Sequence, residues 1–281
     1  MPKYNLVNAD RMKLLKKLEN NSVQLIITSP PYNIGKIYEK KQTLKSYLFE
    51  QEKTLRECVR VLKKTGSLCW QVGNYIKGKS EIIPLDILIY NICEKFGLKL
   101  RNRIVWHYEH GLHASKRFSG RYETIMWFTK TDEYTFNLDS IRVPQKYIGK
   151  VAYRGKNKGK YSGNINGKNP SDVWIFPNVK SMHREKTIHP CQFPIELAER
   201  LVKSMTNKND LVIDPYAGVG TTLIAALKNK RRAAGSEIKK QYVNIAKKRI
   251  KQLKQGKLPI REMFTPIQML GPNSKLYKRT N

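Results

Sequence analysis

The sequence predicts an α/β protein built on a parallel sheet that a basic insertion interrupts once. Three observations predict it. Short β-branched apolar runs alternate with amphipathic helical stretches, the alternation dissolves between residues 141 and 186, and it resumes at Pro194. A chain of 281 residues can bury a large core, so a single catalytic body is expected.

The elements follow in order. Val23-Gln24-Leu25-Ile26-Ile27-Thr28 is a buried strand stopped by Ser29-Pro30-Pro31. Residues 48–62 have helical spacing of Leu, Cys and Val, and Lys63-Lys64-Thr65-Gly66 then resembles a basic last turn with a glycine stop. A strand over 67–72, a helix over 84–96 closed by Gly97, and strands over 100–108 and 124–129 come next. From 141 to 186 the chain is rich in Gly, Asn, Lys and Tyr, its cations opposed only by Asp172 and Glu185, and it has little core of its own. Helices at 194–205, 221–227 and 241–253 with strands at 211–213 and 233–236 complete the pattern, and an irregular tail follows Gly256. The domain limits read this way are 1–140, 141–188, 189–256 and 257–281.

The formal net charge of +32 attracts a polyanion, and nucleic acid is the first expectation. Hydrophobic residues make up 40% of the chain, which separates it from unfolded basic tails. No apolar run approaches bilayer length and the amino terminus lacks a signal-peptide core, so a soluble, cytoplasmic protein is expected. Cys58, Cys69, Cys93 and Cys191 stand far apart without ligand spacing, and no metal site is expected. His107, His110 and His113 read as surface or loop histidines.

Two motifs carry chemistry. In Asp214-Pro215-Tyr216-Ala217-Gly218-Val219-Gly220-Thr221-Thr222, between a strand and a helix, glycines let backbone amides approach a ligand and the helix start offers unpaired N–H groups. The third glycine of a dinucleotide fingerprint is Leu223 here, and the lysine of a phosphate-binding loop is absent. Glu237 closes the next strand, where it can accept both hydroxyls of a ribose. An adenosine-type cofactor without a diphosphate fits, the plainer alternative being a tight turn alone. The second motif is Thr28-Ser29-Pro30-Pro31-Tyr32-Asn33. Methylating an aryl amine requires acceptors for its N–H groups, because its lone pair is delocalised into the ring. Ser29 Oγ and the Pro30 carbonyl can accept, Pro31 stiffens the loop, and the Tyr32 ring can stack on an extruded base. No nucleophile or metal is needed, and no dedicated general base is evident.

Ser29-Pro30-Pro31-Tyr32, then the basic insertion, His189-Pro190-Cys191-Gln192-Phe193-Pro194 and finally Asp214 to Thr222 resemble the β-class amino DNA methyltransferases, restriction-linked or orphan, in their circularly permuted motif order. The resemblance implies a Rossmann-like seven-stranded sheet that binds S-adenosylmethionine, a target-recognition insertion and base flipping. It implies that Asp214, Ala217 and Gly218, with Gly220 and Thr221 of the same loop, lie beside the cofactor. Glu237 would hold its ribose, Gln192 and Phe193 its methionine end, and Asp10 its adenine, an N-cap role for Asp10 being the alternative. Ser-Pro-Pro-Tyr is commoner among cytosine N4 enzymes. The longer likeness, through Pro31-Tyr32-Asn33-Ile34-Gly35-Lys36, Arg103-Ile104-Val105-Trp106, Tyr134-Thr135-Phe136-Asn137 and Val173-Trp174-Ile175-Phe176-Pro177, points to adenine N6. The expected activity is adenine N6 methylation of duplex DNA, with cytosine N4 as the alternative. RNA or protein-glutamine methylation and a noncatalytic DNA-binding role are the more distant readings.

Lys146, Arg154, Lys156, Lys158, Lys160 and Lys168 of the insertion are the candidate DNA contacts. Tyr38, Lys40 and Lys41 suggest a lid or a solvated connection, and the run from His110 to Arg117 a phosphate contact or a solvated loop. Expected partners are double-stranded DNA, a cognate restriction endonuclease acting on the same site and a second copy in a homodimer. The expected setting is the nucleoid of a bacterial or archaeal cell.

Overall fold

The computed structural model describes residues 2–78, 81–108, 111, 113–180 and 182–265. Strand β2 (Val23–Thr28) is buried throughout, with Leu25 and Ile27 entering the core on one face and Val23 and Ile26 on the other. Such a strand is stable only inside a sheet covered on both sides. Around it lie β1 (Tyr4–Asn8), β3 (Leu62–Val72), β6 (Lys99–His107), β7 (Tyr122–Thr129), β8 (Val173–Ile175), β9 (Leu211–Asp214) and β10 (Arg232–Glu237). Their order is β1-β10-β9-β2-β3-β7-β6-β8, and β7 alone runs against the rest.

Helices α1 (Arg11–Leu15), α2 (Leu44–Val61) and α3 (Leu85–Lys95) supply Leu15, Leu55 and Ile89 to one face. Helices α4 (Ile195–Met205), α5 (Thr221–Lys228) and α6 (Lys240–Lys254) supply Leu201, Ile224 and Ile250 to the other. A separate hairpin pairs β4 (Asn74–Lys77) with β5 (Glu81–Pro84). Strand order reverses between β9 and β2, and in open α/β sheets ligands bind beyond the carboxyl ends of the strands flanking such a reversal.

The Rossmann-like permuted sheet is as expected, with three local differences. The sheet has eight strands rather than seven, because the end of the basic insertion adds β8 to the outer edge of β6. Its Trp174 and the following Phe176 are buried, the Arg200 guanidinium lies 4.9 and 4.6 Å from their rings, and Trp106 Nε1 donates to the Phe176 carbonyl at 2.8 Å. Residues 173–176 therefore belong to the core, whereas residues 144–166 are mostly exposed.

Lys63-Lys64-Thr65-Gly66 is not a helix end: α2 stops at Val61 and these residues form an irregular start to β3. Leu62 pairs with Val23 and Ser67 with Leu25, so the intervening residues bulge, and Gln24 Nε2 donates to the Thr65 carbonyl at 2.9 Å. The tail is irregular from 257 but anchored. Arg261 pairs with the fully buried Glu196, and its backbone N–H donates to Glu185 Oε1 at 3.0 Å.

Candidate active site

The strand ends at the reversal open onto one cavity of about 580 Å³, within the range of small-molecule sites. Ser29, Pro30, Pro31 and Tyr32 line one part of it, and Asp10, Gln192, Phe193, Ala217, Gly218, Thr221 and Glu237 line the rest. Two motifs far apart in sequence thus share one chamber.

Asp214 and Gly220 do not face it. Asp214 is buried, and its oxygens accept from Thr28 Oγ1 at 2.7 Å, Thr222 Oγ1 at 2.8 Å and the Tyr216 N–H at 3.0 Å. It therefore clamps the end of β2 to the end of β9. Burial outweighs those donors and raises its pKa from 3.8 to about 6. Gly220, at φ +81°, closes the turn as N-cap of α5, and a Cβ there would come within 3.0 Å of the Ala246 side chain.

The cavity wall is shaped for close approach. Gly218 adopts φ +49°, and a Cβ would meet His189 Nε2 at 3.3 Å. His189 cannot easily retreat, since its ring centroid lies 5.4 Å from that of Tyr38 and 4.6 Å from that of Tyr242. Burial, with Lys186 and Arg249 nearby, lowers its pKa to about 4 and keeps it neutral at pH 7. Glu237 accepts from the Gly218 N–H at 3.1 Å and the Lys239 N–H at 2.7 Å, and each oxygen keeps a lone pair for a hydroxyl. Burial raises its pKa against those donors. A glycine-walled pocket with a carboxylate acceptor for hydroxyl groups fits an adenosine-type ligand.

Asp10 takes the N-cap role at α1, Oδ1 accepting from the Met12 N–H at 2.8 Å, and also stands in the cavity wall. Its other oxygen pairs with Arg11 at 2.6 Å, and Arg11 also reaches Glu50 at 2.7 Å and lies 5.6 Å from the Tyr216 ring centroid. Gln192 is tied to Thr187 Oγ1 and the Glu185 carbonyl, which orients the wall carrying Phe193.

On the Ser29 side, Ser29 Oγ and Tyr32 Oη lie 2.8 Å apart, Tyr32 Oη donates to Glu123 Oε2 at 2.9 Å, and Gln71 Nε2 donates to the same oxygen at 2.6 Å. Gly73 stands against the Tyr32 ring, where a Cβ would be 3.2 Å from a ring carbon. Glu123 and Gln71 escaped the sequence reading, because a lone carboxylate opening an apolar strand carries no local signal.

The segment after Tyr32 is folded over the cavity rather than merely solvated. Glu39 accepts from the N–H groups of Asn33, Ile34 and Lys36, the Asn33 side chain pairs twice with the Gln42 backbone, and Tyr38, Lys40 and Lys41 line the chamber. Lys146, Arg154, Lys156, Lys158, Lys160 and Lys168 are all exposed. Lys146 and Lys168 flank a second cavity of about 370 Å³ within the insertion. His110 lies outside the described residues. Among the described residues no cluster is arranged to hold a metal ion, and no helix is long and apolar enough to cross a membrane.

Comparison with known proteins agrees with this geometry. The profile of a family described as DNA methylase, of N6/N4 type, matches residues 23–248. Type II methyltransferase M.BglII of Bacillus subtilis is 51% identical over 248 residues, covering 87% of this chain and 69% of its own. DNA adenine methyltransferase YhdJ of Escherichia coli is 34% identical over 253 residues, covering 87% of this chain and 82% of its own. A putative DNA modification methylase of Thermus thermophilus, crystallised with S-adenosyl-L-methionine, superposes with a TM-score of 0.62 at 28% identity, covering 89% of this chain and 94% of that one. This chain belongs to the N6/N4 family of DNA methyltransferases, with S-adenosylmethionine as its cofactor.

Proposed function

We propose that this protein methylates N6 of an adenine flipped out of duplex DNA at a specific sequence. The observation that carries the reading is the single cavity in which the Ser29 to Tyr32 loop meets the cradle of Ala217, Gly218 and Glu237. Bound there, S-adenosylmethionine supplies an electrophilic sulfonium methyl. Gly218 and Ala217 would hold it by close backbone approach, Glu237 by its ribose hydroxyls, Asp10 near the adenine, and Phe193 with Gln192 at the methionine end. Ser29 Oγ and the Pro30 carbonyl would bind the amino group of the flipped base, and the Tyr32 ring would stack on it. Positioning of this kind converts a bimolecular encounter into an oriented one and supplies most of the acceleration.

Adenine is favoured by the longer sequence likeness and by the relative named as a DNA adenine methyltransferase. The specific observation for cytosine N4 is Ser29 itself, which leads the loop in place of the aspartate usual in adenine enzymes. The exposed cations of the insertion, Lys146, Arg154, Lys156, Lys158, Lys160 and Lys168, would hold the DNA backbone. A cognate restriction endonuclease and a homodimeric state also belong to this reading. The test is to incubate the protein with labelled S-adenosylmethionine and unmethylated DNA, digest to nucleosides and identify the labelled one. N6-methyladenine supports the proposal. N4-methylcytosine replaces it with the alternative, and unlabelled DNA refutes both.

A further inference from the structure

We infer that Glu123 is a positioning residue for methyl transfer, making Ser29 a hydrogen-bond acceptor through Tyr32 and receiving the amino proton along the same chain. The inference rests on the amino-methyltransferase reading above and adds the proton acceptor that the loop motif lacks.

Direction follows from the hydrogen-bonding capacities of the groups. An ionised carboxylate only accepts, so Tyr32 Oη must donate to Glu123 Oε2 across their 2.9 Å contact. The phenol has one proton, so its oxygen accepts from Ser29 Oγ across 2.8 Å. Ser29 Oγ has then spent its only proton on Tyr32 and presents lone pairs to the cavity it lines. That is the form an incoming amino N–H requires. Without the carboxylate the chain has no fixed polarity, and Ser29 can turn its proton toward the substrate nitrogen, where it opposes the lone pair.

The same chain disposes of the proton. When the amino nitrogen takes the methyl group, a C–N bond forms, the electrons of the broken C–S bond stay on sulfur, and the nitrogen carries one proton in excess. That proton passes to Ser29 Oγ as the serine proton moves to Tyr32 Oη and the tyrosine proton to Glu123 Oε2. Glu123 ends neutral and returns the proton to solvent after product release.

The surroundings suit this duty better than that of an ion-pair strut. The hydrogen-bond donors to Glu123 are the neutral Tyr32 and Gln71, and among the described residues none forms an ion pair with it. Lys180 acts on it at longer range, and the Tyr38 and Tyr108 hydroxyls feel its charge, Tyr108 facing Arg121 in turn. Burial raises its pKa from the ordinary carboxylate value, against the Gln71 and Tyr32 donors, which makes it a better proton acceptor.

The experiment compares wild type with Glu123→Gln and Tyr32→Phe in single-turnover transfer across pH, alongside Kd for cofactor and DNA. Glu123→Gln keeps the size of the side chain and its contact with Tyr32. The expected result is a rate about 100-fold lower with both Kd values unchanged, and loss of the acid-side decline that wild type shows as Glu123 protonates. The double variant should be no slower than Tyr32→Phe alone, since both cut one chain. A readout without cofactor or DNA is the Glu123 carboxyl band in infrared difference titration, which Tyr32→Phe should move to higher pH because a donor to the charged form is gone. A wild-type rate and pH profile in Glu123→Gln, additive losses in the double variant, or an unmoved carboxyl titration would each overturn the inference. A wild-type protein that labels no DNA overturns the parent reading and this one with it.

Discussion

Replacing Asp214 by Asn and by Ala separates charge from hydrogen bonding at the seam between the two motifs. Its carboxylate receives three donors from three places in the chain, Thr28, Tyr216 and Thr222. Truncation to Ala leaves the Thr28 hydroxyl and the Tyr216 N–H without an acceptor, at about 1–3 kcal/mol each, so a loss of about 2–6 kcal/mol is expected. Asn keeps one oxygen for Thr28 and Tyr216, and the Thr222 hydroxyl can turn toward the Ile27 carbonyl, 3.5 Å away. Its cost should be much smaller and should depend on pH. The folded state holds the Asp214 proton more tightly than the unfolded chain, with a pKa of about 6 against 3.8. Asp214 therefore favours folding most at low pH and loses about 3 kcal/mol of that contribution as pH rises through 6. Urea unfolding of wild type and Asp214→Asn, followed from about pH 4 to pH 8, should show wild type losing ground to the variant by about that amount. Parallel curves would refute the assigned burial cost, and an Ala variant as stable as the Asn variant would refute the clamp.

Two further outcomes follow from the cavity wall and from the charge. Gly218→Ala must carry a Cβ at φ +49°, against a His189 held between two aromatic rings; the strain of about 1–2 kcal/mol should weaken S-adenosylmethionine binding about tenfold by calorimetry, and an unchanged Kd would contradict the cradle. Changing Lys156, Lys158 and Lys160 together to Gln should lower the slope of log Kd for DNA against log salt by about 3, with cofactor affinity unaffected, whereas an unaltered slope would remove these residues from the DNA contact.

The two loops that line the cavity were legible because their signals are local. An apolar run halted by two prolines and a glycine turn after a strand both state their positions within a few residues. The clamp and the carboxylate relay were not, because each joins distant segments: Thr28 to Asp214, and Tyr32 to Glu123. Strand β1 buries only Leu6 along its length, which is too thin a pattern to announce a strand until β10 supplies its partner. The Lys63 to Gly66 stretch misleads for a different reason, since basic residues followed by glycine serve a helix end and a β-bulge equally well. Within the basic insertion, Trp174 and Phe176 were visible as a likeness, but their alternation is too short to reveal an eighth strand.

The reversed strand β7 has a consequence for how this enzyme can change. A parallel strand brings its last residues to the reaction end, and the chain must then cross the molecule before it can contribute there again. Running the other way, β7 begins where its neighbours finish, so Glu123 arrives at the chemistry as the second residue of its strand. Both ends of the connection from β6 to β7 consequently sit on the same rim as the Ser29 to Tyr32 loop. No crossover helix has to fit between them, so this link can lengthen or change composition beside the substrate while the sheet and its two hydrophobic faces stay as they are.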